Sequence, residues 1–321
     1  MSFELILPFL RPIEPLLLDE SISEIMGNPD TSWWYERDGI IHREKTISFA
    51  AGKLRTGLEV IANQLGKRLD EDNPILHAQL PDGSRLAAVI PPVVRLTPAL
   101  IIRKFTSRHY TVDDLIARGT LTRPLADLLA EQIRNGKTLL ISGGTGTGKT
   151  TLLRILADFI PDHERIVVIE DTSELQIQKP NILAVECQTD TFKANITFDD
   201  LLKSALRWRP DRIILGEVRG IEARTLLDSF NTGHAGSLAT IHANSAEKAL
   251  HRFANLVMRN HAQTTFSDTE AEIGEAVDFV VHVERQPGRR IVREVLALRG
   301  YDRDAKRFLI DPVFEVKHVA A

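Results

Sequence analysis

Gly143-Gly144-Thr145-Gly146-Thr147-Gly148-Lys149-Thr150 is a complete G-x-x-x-x-G-K-[ST] string, set between the apolar run 138–142 and the helix-like stretch 151–157. Its glycines accept positive φ and carry no side chain to block an approaching ligand. The backbone can therefore wrap a polyphosphate with its N–H groups turned inward. Lys149 would bridge β- and γ-phosphate oxygens, Thr150 would offer a hydroxyl to Mg²⁺, and the start of the following helix would add partial positive charge. Read instead as a flexible Gly/Thr turn, the string leaves Lys149 without a purpose. A nucleotide is the expected ligand.

Three further stretches fall at the carboxyl ends of predicted strands, where an open parallel sheet places its ligand. They are Ile169-Glu170-Asp171-Thr172, Gly216-Glu217-Val218-Arg219, and Gly233-His234-Ala235-Gly236-Ser237 running on to His242. Hydrolysis of a terminal phosphate needs a positioned water, a metal, and donors for the charge that grows on the equatorial oxygens. Glu217 is expected to orient and polarise the water, because its strand is expected to neighbour the phosphate loop. The competing role is a strand-end carboxylate paired with Arg212 or Arg219. Glu170 or Asp171 would hold Mg²⁺ through water, against a turn-capping role for Asp171. His242 would donate to the γ-phosphate and report its loss. For His242 and His234 the alternative is a satisfied core histidine.

The elements that must position these groups follow from the pattern around them. Hairpins are predicted at 32–43, around Asp38-Gly39, and at 74–90, around Pro81-Asp82-Gly83-Ser84. Leu54, Leu58, Ile61 and Leu65 form the stripe of an amphipathic helix between them, and 100–105 reads as one more strand. From Leu125 strands alternate with helices, and the continuous β-branched strands suggest a parallel sheet buried on both faces. The expected organisation is an amino-terminal α/β domain over 1–105, a linker over 106–124 and a second domain over 125–321.

Composition narrows the class. A chain of 321 residues with 43% hydrophobic content can fill two cores. Its 40 basic and 44 acidic residues contain no long run of one sign, and the net charge of −4 argues against a general DNA binder. The single cysteine, Cys187, cannot make an internal disulfide or a multi-cysteine zinc site. That fits a reducing cytoplasm, with Cys187 as a small buried hydrophobe. Residues 1–18 are apolar in patches, but charges and Pro8, Pro12 and Pro15 interrupt them, so they read as neither signal peptide nor anchor. Any membrane association would be peripheral or through a partner.

The boxes 169–175, 211–220 and 232–244, with the phosphate loop, resemble the Asp, Walker B, His and Walker A boxes of the secretion ATPase superfamily. Pro81-Asp82-Gly83-Ser84-Arg85 and Ile102-Arg103-Lys104-Phe105 resemble that family too. The likeness is greatest to the type IV secretion and conjugal-transfer (Trb-type) ATPases and the related Tad-pilus ATPases. It implies a RecA-like domain with a mainly parallel sheet behind a smaller hairpin-rich domain, with ATP and Mg²⁺ as cofactors. It also implies a cytoplasmic homo-hexamer working with inner-membrane secretion or conjugation proteins, and Arg85 and Arg103 reaching the phosphates as arginine-finger analogues. Their alternative is a place as solvated strand-edge arginines. Gly216 departs from the aspartate of many phosphate-loop NTPases. Metal ligation therefore falls to Thr150, waters and Glu170. A RecA-type nucleic-acid motor shares the core, but no basic, aromatic-interleaved groove is visible and direct nucleic-acid binding is not expected.

Overall fold

The computed structural model describes residues 3–37, 39–105, 110–188, 195–259, 264–286 and 288–316. Packing divides the chain between residues 109 and 110 into two units.

The first unit is built on a fully antiparallel six-stranded sheet in the order β3-β2-β1-β6-β5-β4. These strands are β1 (Ile22–Gly27), β2 (Trp33–Arg37), β3 (Ile40–Glu44), β4 (Ile75–Gln79), β5 (Arg85–Val89) and β6 (Ala99–Arg103). Helices α1 (Glu14–Leu18) and α2 (Lys53–Gln64) complete it. The predicted stripe of α2 packs as expected: Leu54, Leu58 and Ile61 are buried and Leu65 half-buried.

Residues 3–13, read as patchily apolar, fold into three short 3-10 turns that bury Ile6, Leu10 and Ile13 completely. Pro8, Pro12 and Pro15 sit in the first positions of these turns and of α1, where no intrahelical N–H is needed. They shape the segment rather than interrupt it.

Arg85 of β5 and Arg103 of β6 stand directly opposite each other in the ladder. Their neighbours Leu86 and Ile102, also paired, are buried. Alternation therefore puts both arginines on the sheet face away from the core.

The second unit opens with α3 (Val112–Ala117), which lies within the stretch 106–124, and α4 (Arg123–Arg134), which begins at the end of that stretch. Thr111 and Asp114 form a capping box on α3, and Thr122 caps α4. Residues 106–109 lie outside the described residues.

The unit's elements continue as β7 (Leu139–Gly143), α5 (Lys149–Ala157), β8 (Ile166–Glu170), β9 (Ile182–Glu186), α6 (Phe198–Ala205), β10 (Arg212–Val218) and α7 (Glu222–Asn231). Then come β11 (Leu238–His242), α8 (Ala246–Met258), α9 (Phe266–Ala276), β12 (Phe279–Gln286), β13 (Arg289–Asp302) and β14 (Arg307–Glu315). The sheet order is β14-β13-β12-β7-β11-β10-β8-β9, parallel from β12 to β9 with β13 and β14 antiparallel at one edge.

Every residue of β7 and β8 is buried, because helices cover both faces. Residues of α6 to α9 fill one core and residues of α4 and α5 the other. Strand β14 has no counterpart in the sequence reading. Of its residues only Phe308 is buried, and Pro312 is tolerated because the strand lies at the sheet edge.

One premise is corrected. The strand bearing Glu217, β10, does not neighbour β7; β11 lies between them. Hydrophobic runs alone do not order parallel strands, since inner strands such as β7 and β8 are alike buried on both faces. Among the described residues no helix is long and apolar enough to cross a membrane.

Candidate functional site

The phosphate loop leaves the sheet at the end of β7 through a gap that only glycine fits. A Cβ on Gly143 would lie 2.4 Å from the carbonyl oxygen of Val283 and 2.6 Å from Thr147 Oγ1. Gly148, at φ +92°, then turns the chain into α5. Thr147 Oγ1 donates to the Gly144 carbonyl at 3.0 Å, and Lys149 Nζ donates to the same oxygen at 2.8 Å.

Lys149 is only 7% exposed, so the loop holds a nearly buried ammonium. Among the described residues, nothing accepts the amides of Thr145, Gly146, Thr147 and Gly148. Four amide donors and a buried cation fit a polyphosphate, which is acceptor-rich and anionic. No cluster of three or more His, Cys, Asp or Glu able to hold a metal occurs among the described residues. Thr150 is half-buried in the first turn of α5.

Register brings the other boxes to this loop. His242, at the end of β11, pairs directly with Gly143. In β10 the register against β11 shifts between Leu215 and Val218, which advance by three while their partners advance by two. Gly216 and Glu217 thus sit in a bulge, the kind of irregularity that re-aims a side chain. Thr240 Oγ1 pins it by donating to the Gly216 carbonyl.

Glu217 Oε1 lies 3.3 Å from His242 Nε2, and His242 Nδ1 lies 3.4 Å from Lys149 Nζ. An ammonium can only donate, so Nδ1 is the bare nitrogen and Nε2 carries the proton towards the carboxylate. Burial first, then the charge of Lys149, holds the imidazole below its usual pKa, while Glu217 opposes them. His242 is neutral in the neutral range.

The turn-capping role that the sequence set against Asp171 falls to Glu170. Buried at the end of β8, Glu170 accepts the amides of Glu174 and Leu175 through Oε1, both at 2.9 Å, so the turn-capping carboxylate is Glu170. Burial raises its carboxyl to about 7, against the pull of those two amides. Asp171 instead pairs with Arg219 at 3.0 Å. Arg212 is buried between Glu164 and the carbonyls of Gly236 and Ile133. Neither arginine is Glu217's ion-pair partner. Gly216 packs beside Glu170, whose Cγ would lie 3.4 Å from an added Cβ. An aspartate there would set a second carboxyl group against the first.

His234 Nδ1 lies 3.1 Å from the Pro210 carbonyl, the satisfied structural histidine of the two. Cys187 is half-buried against the core, with its thiol pushed up to about 11 by burial. The described contacts that define Arg85 and Arg103 lie within the first unit.

Other residues at the site carry no sequence signature of their own. Arg290 Nε donates to the Gly146 carbonyl at 3.0 Å, and Arg285 pairs with Arg290 across the β12–β13 hairpin. His282 pairs with Ser142 in the ladder, and its Nδ1 lies 2.9 Å from Ser142 Oγ, one residue before Gly143.

A glycine loop at the carboxyl edge of a mainly parallel sheet, with Lys149, His242 and Glu217 converging on it, defines a phosphate-loop nucleotide-binding protein. The chain belongs to the family described as type II/IV secretion system protein, whose model matches residues 10–296. The resemblance and the fold class read from the sequence are thereby borne out.

The conjugal transfer protein TrbB of Rhizobium radiobacter is 38% identical over 289 residues, covering 88% of this chain and 85% of that protein. The type IV secretion system protein VirB11 of Bartonella quintana is 32% identical, over 91% of this chain and 92% of that one. Among solved structures, the VirB11 ATPase of the Brucella suis type IV secretion system, in complex with sulphate, shares 27% identity. It covers 91% of this chain and 94% of that one, with a TM-score of 0.50. The Legionella pneumophila ATPase DotB, at 19% identity and a TM-score of 0.63 over 90% of this chain and 80% of that one, shares the fold.

Proposed function

We propose that this chain is an ATP-hydrolysing motor that energises a type IV secretion or conjugal-transfer system. The observation that carries the reading is the line Glu217–His242–Lys149, which ties a bulge-mounted carboxylate to the phosphate-loop lysine through one neutral imidazole. TrbB and VirB11, the relatives that match most of the chain, support the cellular setting.

In this reading the open amides of the loop and Lys149 bind the phosphates, and Glu217 orients the attacking water. Oxygen from that water bonds to the terminal phosphorus as the bond to the ADP oxygen breaks. His242 keeps Glu217 and Lys149 in register and responds when the terminal phosphate is lost. The Thr150 hydroxyl and water would hold Mg²⁺, which would supply positive charge to the phosphates. Glu170, with one oxygen committed to its own turn, would act on the metal only through water.

The working assembly is a homo-hexamer in the cytoplasm, docked peripherally on inner-membrane components of the machine. Activity should then rise more steeply than linearly with protein concentration, because a site shared between subunits is incomplete in the monomer. Light scattering with an ATP analogue tests this, and a monomer at full turnover refutes it.

Paired variants test the chemistry. Lys149→Ala should weaken nucleotide binding and abolish hydrolysis, since Lys149 contacts ground-state phosphates. Glu217→Gln should keep binding and lose turnover, since Glu217 acts as charge develops. Fluorescent-ATP titration beside phosphate release reads both. Unimpaired hydrolysis in Glu217→Gln removes that residue from its role.

A further inference from the structure

A cavity of about 490 Å³ opens beside the phosphate loop, lined by Gly144, Thr145, His242, Asn244, Lys248 and Arg252, with Ala243 between. One wall is the loop itself and the other is the start of α8. Lys248 and Arg252 are four residues apart on that helix, so they lie one turn apart on one face. Both are exposed, and neither forms an ion pair among the described residues. The cavity lining contains no carboxylate. Like charges at this spacing repel, yet here two of them flank a cavity that also touches the ammonium-bearing loop.

We propose that Lys248 and Arg252 form a second oxyanion site, which takes inorganic phosphate as it leaves the phosphate loop. The proposal rests on the ATP-hydrolysing reading and names the exit of its product; the step is non-covalent.

Four features carry it. Gly144 and Thr145 line the same cavity as the two cations, so the loop and the helix share one space for a freed anion. Its volume is many times the roughly 30 Å³ share of one water, which leaves room for a hydrated oxyanion. His242 lines the same cavity and touches both Lys149 and Glu217, so it stands between the place where phosphate is made and the place where it is received. The guanidinium and ammonium offer charge-assisted donors suited to phosphate oxygens.

The test uses the full chain and inorganic phosphate as the probe. Orthophosphate is titrated with and without saturating ADP and followed by ³¹P line broadening. The variants are Lys248→Ala/Arg252→Ala and the conservative Lys248→Arg/Arg252→Lys. The double alanine variant should bind phosphate at least about tenfold more weakly than wild type, and the conservative variant should retain it. Product inhibition of turnover by added phosphate should weaken in parallel. Equal phosphate affinity in wild type and the double alanine variant overturns the proposal. So does loss of phosphate binding in Lys149→Ala alone, which assigns the anion to the loop. A wild type that fails to hydrolyse ATP refutes the hydrolytic reading separately, since the phosphate titration needs no turnover.

Discussion

His242 joins Lys149 to Glu217 with its two ring nitrogens, Nδ1 at 3.4 Å from the ammonium and Nε2 at 3.3 Å from the carboxylate. The order matters, because a neutral imidazole can accept on one side while donating on the other, and a charged one cannot. The carboxylate that acts on water is thereby held relative to the lysine that holds phosphate.

Removing this link should cost turnover rather than affinity. His242→Ala is expected to lower the hydrolysis rate on the order of 10²-fold, the loss seen when one preorganised donor is deleted. Fluorescent-nucleotide affinity should stay close to that of wild type. His242→Gln, which can still donate, should recover part of the rate. A His242→Ala protein with undiminished phosphate release would show the bridge to be incidental.

The half-buried His242 and the buried His282 set a pH dependence whose sign follows from burial. His242 and His282 both have folded pKa values below the ordinary 6.5, with burial as the first cause for each. The unfolded chain therefore binds protons first as pH falls. Their contribution to stability is present above about pH 6.5 and is lost as pH drops through the folded values. Melting temperature should fall from about pH 7.5 to about pH 5.5, and His282→Gln should flatten that fall. An identical drop in the variant would exclude His282, beside Ser142, as a source.

Arg290 should matter to binding although it belongs to no sequence box. Its Nε donates to the Gly146 carbonyl, so it braces the loop through the backbone. Loss of one solvent-exposed charged hydrogen bond is worth about 1 kcal/mol. Arg290→Ala should then weaken nucleotide binding by up to about fivefold and lower the melting temperature by no more than about 4 °C. Unchanged affinity in a titration would reduce the contact to decoration of the hairpin.

Legibility in the sequence varied with how locally each feature is encoded. The phosphate loop was readable because its glycines are demanded by local geometry, as the 2.4 Å approach at Gly143 makes plain. The hairpin at Pro81–Ser84 and the stripe of α2 were readable because turn chemistry and period are local too.

Strand order was not readable. The place of β11 between β7 and β10 depends on crossover connections, while every parallel strand carries the same apolar signal. That Glu170 rather than Asp171 caps the turn was hidden for a related reason. Adjacent residues on a strand end face opposite ways, and which carboxylate turns inward depends on the neighbouring Gly216 and on the amides at 174 and 175. Arg290 reaches Gly146 across 144 residues of sequence, a contact that only the closed sheet creates.

The last prediction concerns Arg85 and Arg103, which face each other across β5 and β6 on the outer face of the first unit's sheet. Their pairing places two cations side by side, where like charges directly opposite are unfavourable unless something anionic meets them. Glu24 stands opposite Arg103 on its other side, in β1. If the two guanidiniums meet the phosphates, they stabilise transition-state charge, and deleting one should cost on the order of 10³-fold in turnover, or about 4 kcal/mol. Lysine should replace it poorly, lacking the planar fork of donors. Arg103→Ala is therefore expected to fold and to bind nucleotide at its phosphate loop, yet to hydrolyse slowly. It should also lose ATP-dependent protection from protease in the chain that joins the two units, because the same contact would let ATP draw them together. Wild-type turnover and normal protection in both Arg85→Ala and Arg103→Ala would confine the chemistry to the second unit, leaving the first for assembly.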